Sequence, residues 1–155
     1  MSFTICGLAL EEFQSLFCLS DEALKERGII RQKASTKPGY PCRITLDDAE
    51  PGETVLLLNY ESHKTESPYR SSYAIYVRET ASKSQTYTNE LPPVLIGRPI
   101  ALRIFNADGM LIGADLSLGE DLSEKIEKAF QLKEAEYLHA HNAMHGCFAA
   151  EIRKA

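Results

Sequence analysis

The chain has 155 residues, 44% of them hydrophobic and 25% charged, which suits one globular domain with a real core and not a disordered, collagenous or coiled-coil chain. Lys and Arg number 17 against 22 Asp and Glu, and the formal net charge of −5 counts against a general nucleic-acid or anionic-membrane surface. No apolar run approaches the roughly 20 residues of a spanning helix, and the opening MSFTICGLALEEF holds Glu11 and Glu12 but no Lys or Arg, so it does not read as a signal peptide and a cytosolic protein is expected.

Phe3 and Ile5 alternate with polar or small residues in a short opening strand that Gly7 ends. Leu10, Phe13, Leu16 and Phe17 share one helical face, predicting a helix over 9–17. Ser20 is placed to cap a second short helix over 21–27, and Gly28 stands where a glycine would stop it. From Ile29 the pattern turns to strands over 29–35, 42–46, 53–61 and 71–79, with turns at Pro38-Gly39-Tyr40-Pro41 and Glu50-Pro51-Gly52. Val55 to Leu58 is apolar on both faces, which predicts a central strand covered on each side. The polar stretch 80–93 reads as the longest irregular connection. Asp108-Gly109, between two β-rich runs, predicts a two-residue hairpin turn with Ile104 opposite Gly113 and Phe105 opposite Ile112. Leu122, Ile126, Ala129 and Phe130 mark a helix over 120–131, and EYLHAHNAMHGCFAAEI a closing hairpin.

With no repeat or linker, the reading is a single domain over 1–155 of α+β class: a mostly antiparallel sheet, two short N-terminal helices, and one helix before the C-terminal hairpin.

Charge is uneven along the chain. Lys25, Arg27, Arg31, Lys33, Lys37 and Arg43 precede an acidic stretch with Asp47, Asp48, Glu50, Glu53, Glu61 and Glu66. These segments read either as solvated faces and guarded strand edges or, through Arg43, Arg70 and Arg78, as a local anion site, since guanidinium forks suit phosphate and carboxylate. Cys6, Cys18, Cys42 and Cys147 lack CxxC spacing and fit free thiols in a reducing compartment; Cys42 groups with Ile44 and Leu46 as core, turning Arg43 and Thr45 the other way.

The densest chemical vocabulary is HAHNAMHGC. Alternation sets Tyr137, His139 and His141 on one strand face, and a five-residue loop from Asn142 to Gly146 would set His141 opposite Cys147, a pairing that a four-residue loop would break. Two imidazoles and a thiol can ligate zinc, or can act as base and nucleophile; they can equally be packing in a half-buried hairpin. The segment NYESHKTESPYRSSYAIYVRE adds Glu61, Tyr69 and Arg70 as residues able to hold an anionic or flat ligand, with Glu61 equally able to pair with Arg70.

GYPCR, EPGE, LLLNYE, SPYRSSYAIYVRE, FNADGM and YLHAHNAMHGCFAA, in this order, resemble the bacterial domain-of-unknown-function family DUF1203. The resemblance implies a single compact bacterial domain, brings no cofactor with it, and has no assigned function to lend. Its pattern falls on Pro41, Cys42, Arg43, Asn59, Tyr60, Glu61, Ser67, Pro68, Tyr69, Arg70, His139, His141, Asn142, Gly146 and Cys147. It implies a histidine in place of Tyr73 and often a basic residue in place of His145, which weakens His145 as a ligand.

The leading expectation is a polar pocket that binds, and in an enzyme transforms, a small anionic or polar molecule. Arg43, Arg70, Tyr69, Glu61 and Asn142 would hold the ligand, and His139, His141 and Cys147 would supply acid-base or nucleophilic chemistry. One alternative is a zinc-like metal protein built on His139, His141 and Cys147, and another is a non-catalytic interaction domain. The predicted pocket brings Arg43, Arg70 and the hairpin to one cavity.

Overall fold

Strand alternation pays out as two antiparallel sheets in the computed structural model, which describes residues 1–155. The chain runs β1 (Phe3–Cys6), α1 (Gln14–Phe17), α2 (Asp21–Glu26), β2 (Ile30–Lys33), β3 (Thr54–His63), β4 (Ser71–Arg78), β5 (Thr86–Thr88), β6 (Ile100–Phe105), β7 (Leu111–Ser117), α3 (Leu122–Ala129), β8 (Tyr137–Asn142) and β9 (Phe148–Lys154). The larger sheet has the order β5-β1-β9-β8-β6-β7 and the smaller β2-β3-β4, so the class is α+β with mostly antiparallel sheets.

The two faces of the larger sheet differ because its strands alternate. Ile100, Leu102, Ile104, Leu138, Ala140 and Ile152 point into one buried cluster, and α3 lays Leu122, Ile126 and Ala129 on it. The same strands turn Arg103, Phe105, Tyr137, His139 and His141 to the other face, toward the smaller sheet. In the smaller sheet β3 is central, as its apolar run predicts. Leu56 and Leu58 join a cluster with Leu10, Phe13, Leu24 and Ile75, while Val55 packs with Ala34 and Ala49.

Caps set the N-terminal helices. The Ser20 hydroxyl accepts from the Ala23 N–H at 3.1 Å, and Gly28, just past the end of α2, takes φ +73°. The predicted helix over 9–17 is instead a 3-10 turn, Leu10–Glu12, followed by the single turn of α1. Docking of Leu10 and Phe13 on the smaller sheet holds it, since so short a segment has little helical stability of its own.

Three further expectations need correction. Residues 42–46 form a tight turn and not a strand: the Leu46 N–H donates to the Cys42 carbonyl at 3.0 Å, and Leu46 takes φ +55°. Cys42 and Ile44 thereby enter one core and Leu46 the other, which an alternation count reads as a strand. The 80–93 connection holds β5, paired to β1 through Ile5 opposite Tyr87. The β6–β7 hairpin keeps Ile104 opposite Gly113 but shifts Phe105 to Leu111, because Ala107, Asp108 and Gly109 make a three-residue loop closed by the Asn106 and Met110 backbones, with Gly109 at φ +73°.

No helix is long and apolar enough to cross a membrane.

Candidate functional site

Between the two sheets lies a cavity of about 610 Å³. Leu57, Ala74 and Tyr76 of β3 and β4 give it a partly apolar wall; Pro41 and Arg43 come from the turn before β3, Arg98 and Pro99 from the approach to β6, and Asn142, His145 and Cys147 from the β8–β9 loop.

That loop places its side chains through its own hydrogen bonds. The Asn142 N–H donates to the Cys147 carbonyl at 3.0 Å and the Gly146 N–H to the Asn142 carbonyl at 2.7 Å, so four residues, 143–146, turn the chain. Gly146 supplies the φ of +78° that the last position needs. The Asn142 amide then reaches across the neck of the hairpin and donates to Cys147 Sγ at 3.2 Å.

Arg43 meets the same sulfur from the other side. Its Nη2 donates to Cys147 Sγ at 3.4 Å, its Nε to the Phe148 carbonyl at 2.5 Å, and its Nη1 to the Pro41 carbonyl at 3.2 Å. The residue is 1% exposed and no carboxylate pairs with it. Three half-buried arginines have acidic partners: Arg31 pairs with Asp21 and Glu79, Arg78 with Glu53, and Arg98 with Asp48. The half-buried Arg103 has none and donates to the Tyr73 hydroxyl at 2.9 Å, so Arg43 stands apart as the fully buried one. Burial pulls the Arg43 guanidinium below its ordinary range, and the neighbouring sulfur acts in the opposite direction. Each of its three nitrogens thus donates once, three of the five N–H groups of a guanidinium, and the residue is among those lining the cavity.

The histidines occupy a separate layer where the sheets meet. His63, at the end of β3, hydrogen-bonds through Nδ1 to the Tyr69 carbonyl at 2.8 Å and through Nε2 to the Tyr137 hydroxyl at 2.6 Å. Its ring lies 5.1 Å from that of His139 and 4.2 Å from that of Phe105. His139 Nε2 faces Glu151 Oε2 at 3.2 Å. His141 donates from Nδ1 to the Gly146 carbonyl at 2.9 Å, which fixes that tautomer, and packs edge-on against Tyr73 at 4.9 Å. Both strand imidazoles are 2% exposed. Burial lowers His139 despite Glu151, and burial takes His141 down to about 4, with Arg103 and Arg43 acting the same way and the Gly146 carbonyl opposing.

The single cavity expected for Arg43, Arg70 and the hairpin is therefore two. Tyr69 and Arg70 line a smaller cleft of about 290 Å³ with Pro68, Ser71, Arg103 and Phe105, and Arg70 is paired with Glu61 at 3.1 Å. The pairing of His141 with Cys147 also fails: the four-residue loop and a register shift after Ala140 set His141 opposite Phe148. No group of three or more His, Cys, Asp or Glu side chains is arranged to hold a metal ion. His139 faces Glu151, His141 faces a carbonyl, and Cys147 faces a guanidinium, an unsuitable neighbour for a bound cation.

Arg98, Arg103 and His63 are not among the residues that the sequence patterns single out. His63 carried a signal, being the one histidine outside the HAHNAMHGC cluster; Arg98 sits between Gly97 and Pro99 with nothing local to set it apart.

A family model described as a protein of unknown function, DUF1203, matches residues 39–154 of the 155-residue chain. The chain belongs to the DUF1203 family. The DUF1203 segment contains β3 to β9 and every residue named above as lining the cavity, while β1, α1, α2 and β2 precede it. Neither a curated protein nor a solved structure matches the chain.

Proposed function

We propose that the larger cavity binds a small organic anion, its acidic group held by Arg43 and Asn142 and its apolar body lying against Leu57, Tyr76 and Pro99. The observation that carries this reading is the buried Arg43 guanidinium without a carboxylate partner. A cation taken out of water is costly unless paired, and the cavity that Arg43 helps to line is where a pairing anion would meet it. Arg98 adds positive character at the rim, part of it cancelled by Asp48 at 2.5 Å.

In this reading His139 and His141 serve the layer between the sheets, Tyr69 and Arg70 belong to the smaller cleft, and Glu61 pairs with Arg70. Cys147 is the one thiol at the cavity wall.

Calorimetric titration with benzoate and with inorganic phosphate tests the proposal. At least one of the two binds at one site per chain, and Asn142→Ala weakens it about tenfold or more, the loss of one hydrogen bond to a charged group. Failure of both anions to bind, or binding that is the same in wild type, Asn142→Ala and Arg43→Lys, would overturn it.

A further inference from the structure

We propose that Cys147 is a reversible oxidation site, its sulfur reacting with hydrogen peroxide or a small organic hydroperoxide to give a sulfenic acid. The inference uses the same cavity but not its occupancy by an anion, so it stands or falls separately from the binding reading.

The four cysteines sit in different surroundings. Cys6 and Cys18 are exposed. Cys42 is fully buried, and its sulfur accepts only from the backbone N–H groups of Thr45 and Arg78, at 3.5 and 3.3 Å. Cys147 alone combines partial exposure at a cavity wall with two side-chain donors, the cationic Arg43 Nη2 and the Asn142 amide. Such donors stabilise negative charge on sulfur, and the thiolate is the form that attacks a peroxide. Arg43 cannot swing away, since its Nε and Nη1 are tied to the Phe148 and Pro41 carbonyls.

In the step, the Cys147 sulfur attacks one peroxide oxygen; the S–O bond forms as the O–O bond breaks. Sulfur is oxidised by two electrons and the peroxide is reduced, leaving as hydroxide or alkoxide that takes a proton from solvent. The Arg43 and Asn142 N–H groups stand next to the charge that develops on the departing oxygen. No second cysteine lines the cavity, so the product is a sulfenic acid and not an internal disulfide. Two equivalents of a small thiol return it to the thiol, leaving as their disulfide with loss of water.

The test treats the full chain with hydrogen peroxide in the presence of dimedone and maps the adducts by peptide mass spectrometry. Cys147 acquires the adduct ahead of Cys6, Cys18 and Cys42, and Asn142→Ala slows Cys147 about fivefold while leaving the exposed thiols unchanged. Circular dichroism of the variant confirms that it folds. Oxidation of Cys147 no faster than of Cys6 and Cys18, or an unaltered rate in a folded Asn142→Ala protein, would overturn the proposal. Benzoate or phosphate that binds the cavity while Cys147 stays inert defeats this inference alone, and fast oxidation of Cys147 without anion binding defeats the binding reading alone.

Discussion

Arg43 Nη2 and Cys147 Sγ lie 3.4 Å apart across a sequence separation of 104 residues, and the same guanidinium donates to the carbonyl of Phe148 next door. One side chain thus closes the turn before β3 onto the last hairpin. The contact joins the two sheets, and it also gives the cavity its only buried cation. Structure and chemistry meet at this residue, which makes its replacement informative in two ways.

Arg43→Ala leaves the Phe148 and Pro41 carbonyls without their donor and opens a void at a residue that is 1% exposed. The expected loss is about 3 kcal/mol of unfolding free energy, read from urea denaturation. Arg43→Lys keeps the charge but not the fork, and is expected to recover less than half of that loss. A loss below about 1 kcal/mol for Arg43→Ala would mean that the inter-sheet tie is weak.

Acid is expected to weaken the layer between the sheets. His141 is held down to about 4 from its ordinary 6.5, first by burial, so its neutral form is the one the fold accepts. Its contribution is complete above pH 6.5 and is lost as pH falls from 6.5 toward 4, by roughly 3 kcal/mol over that window. His139 acts in the same direction. Glu151, held below its ordinary range by His139 and Arg153 against the opposing effect of burial, adds a further loss only at lower pH. Urea midpoints measured between about pH 7.5 and pH 4.5 should fall steadily, and His141→Gln should flatten the slope; equal slopes in the two proteins would contradict this.

Two glycines separate space from conformation. A Cβ on Gly7 would lie 2.0 Å from the Ile44 carbonyl oxygen, so Gly7→Ala forces β1 and the 42–46 turn apart at an expected cost of about 3 kcal/mol. Gly146 has open space around it but a φ of +78°, so Gly146→Ala carries only the backbone cost of about 1 kcal/mol. Thermal or urea unfolding of both variants checks the order, and a larger effect at Gly146 would reverse the argument.

Tyr137→Phe removes the hydroxyl partner of His63 Nε2 at 2.6 Å while keeping the ring stacked on Phe105 at 5.4 Å. The expected loss is about 1 kcal/mol, with the cavity chemistry unchanged. Unchanged stability would show that the hydroxyl is solvated equally well in the unfolded chain.

Local patterns explain which parts of this architecture were legible. Ser20 and Gly28 bracket α2, the apolar run 55–58 marks the central strand, and alternation in YLHAHN sends Leu138 and Ala140 to the core with Tyr137, His139 and His141 opposite. The 42–46 turn was not legible, because three alternating buried residues arise equally from a strand and from a turn wedged between two cores. The hairpin neck depended on a single residue of loop length, which sequence leaves open, and that one residue decides whether Cys147 meets His141 or Arg43. The cavity itself joins segments far apart in the chain, and no local periodicity reports which arginine is fully buried without a carboxylate.

An anion-selective cavity with Cys147 at its wall would separate the rates of two alkylating reagents of similar size on the folded wild-type chain. Iodoacetate carries the carboxylate that Arg43 and Asn142 would hold, and iodoacetamide lacks it; Cys6 and Cys18, both exposed, serve as internal references. The ratio of the iodoacetate to the iodoacetamide rate, read site by site by mass spectrometry, should be about tenfold higher at Cys147 than at the two references, the factor expected for one charge-assisted contact. An equal ratio at all three cysteines would mean that no anion site lies beside Cys147.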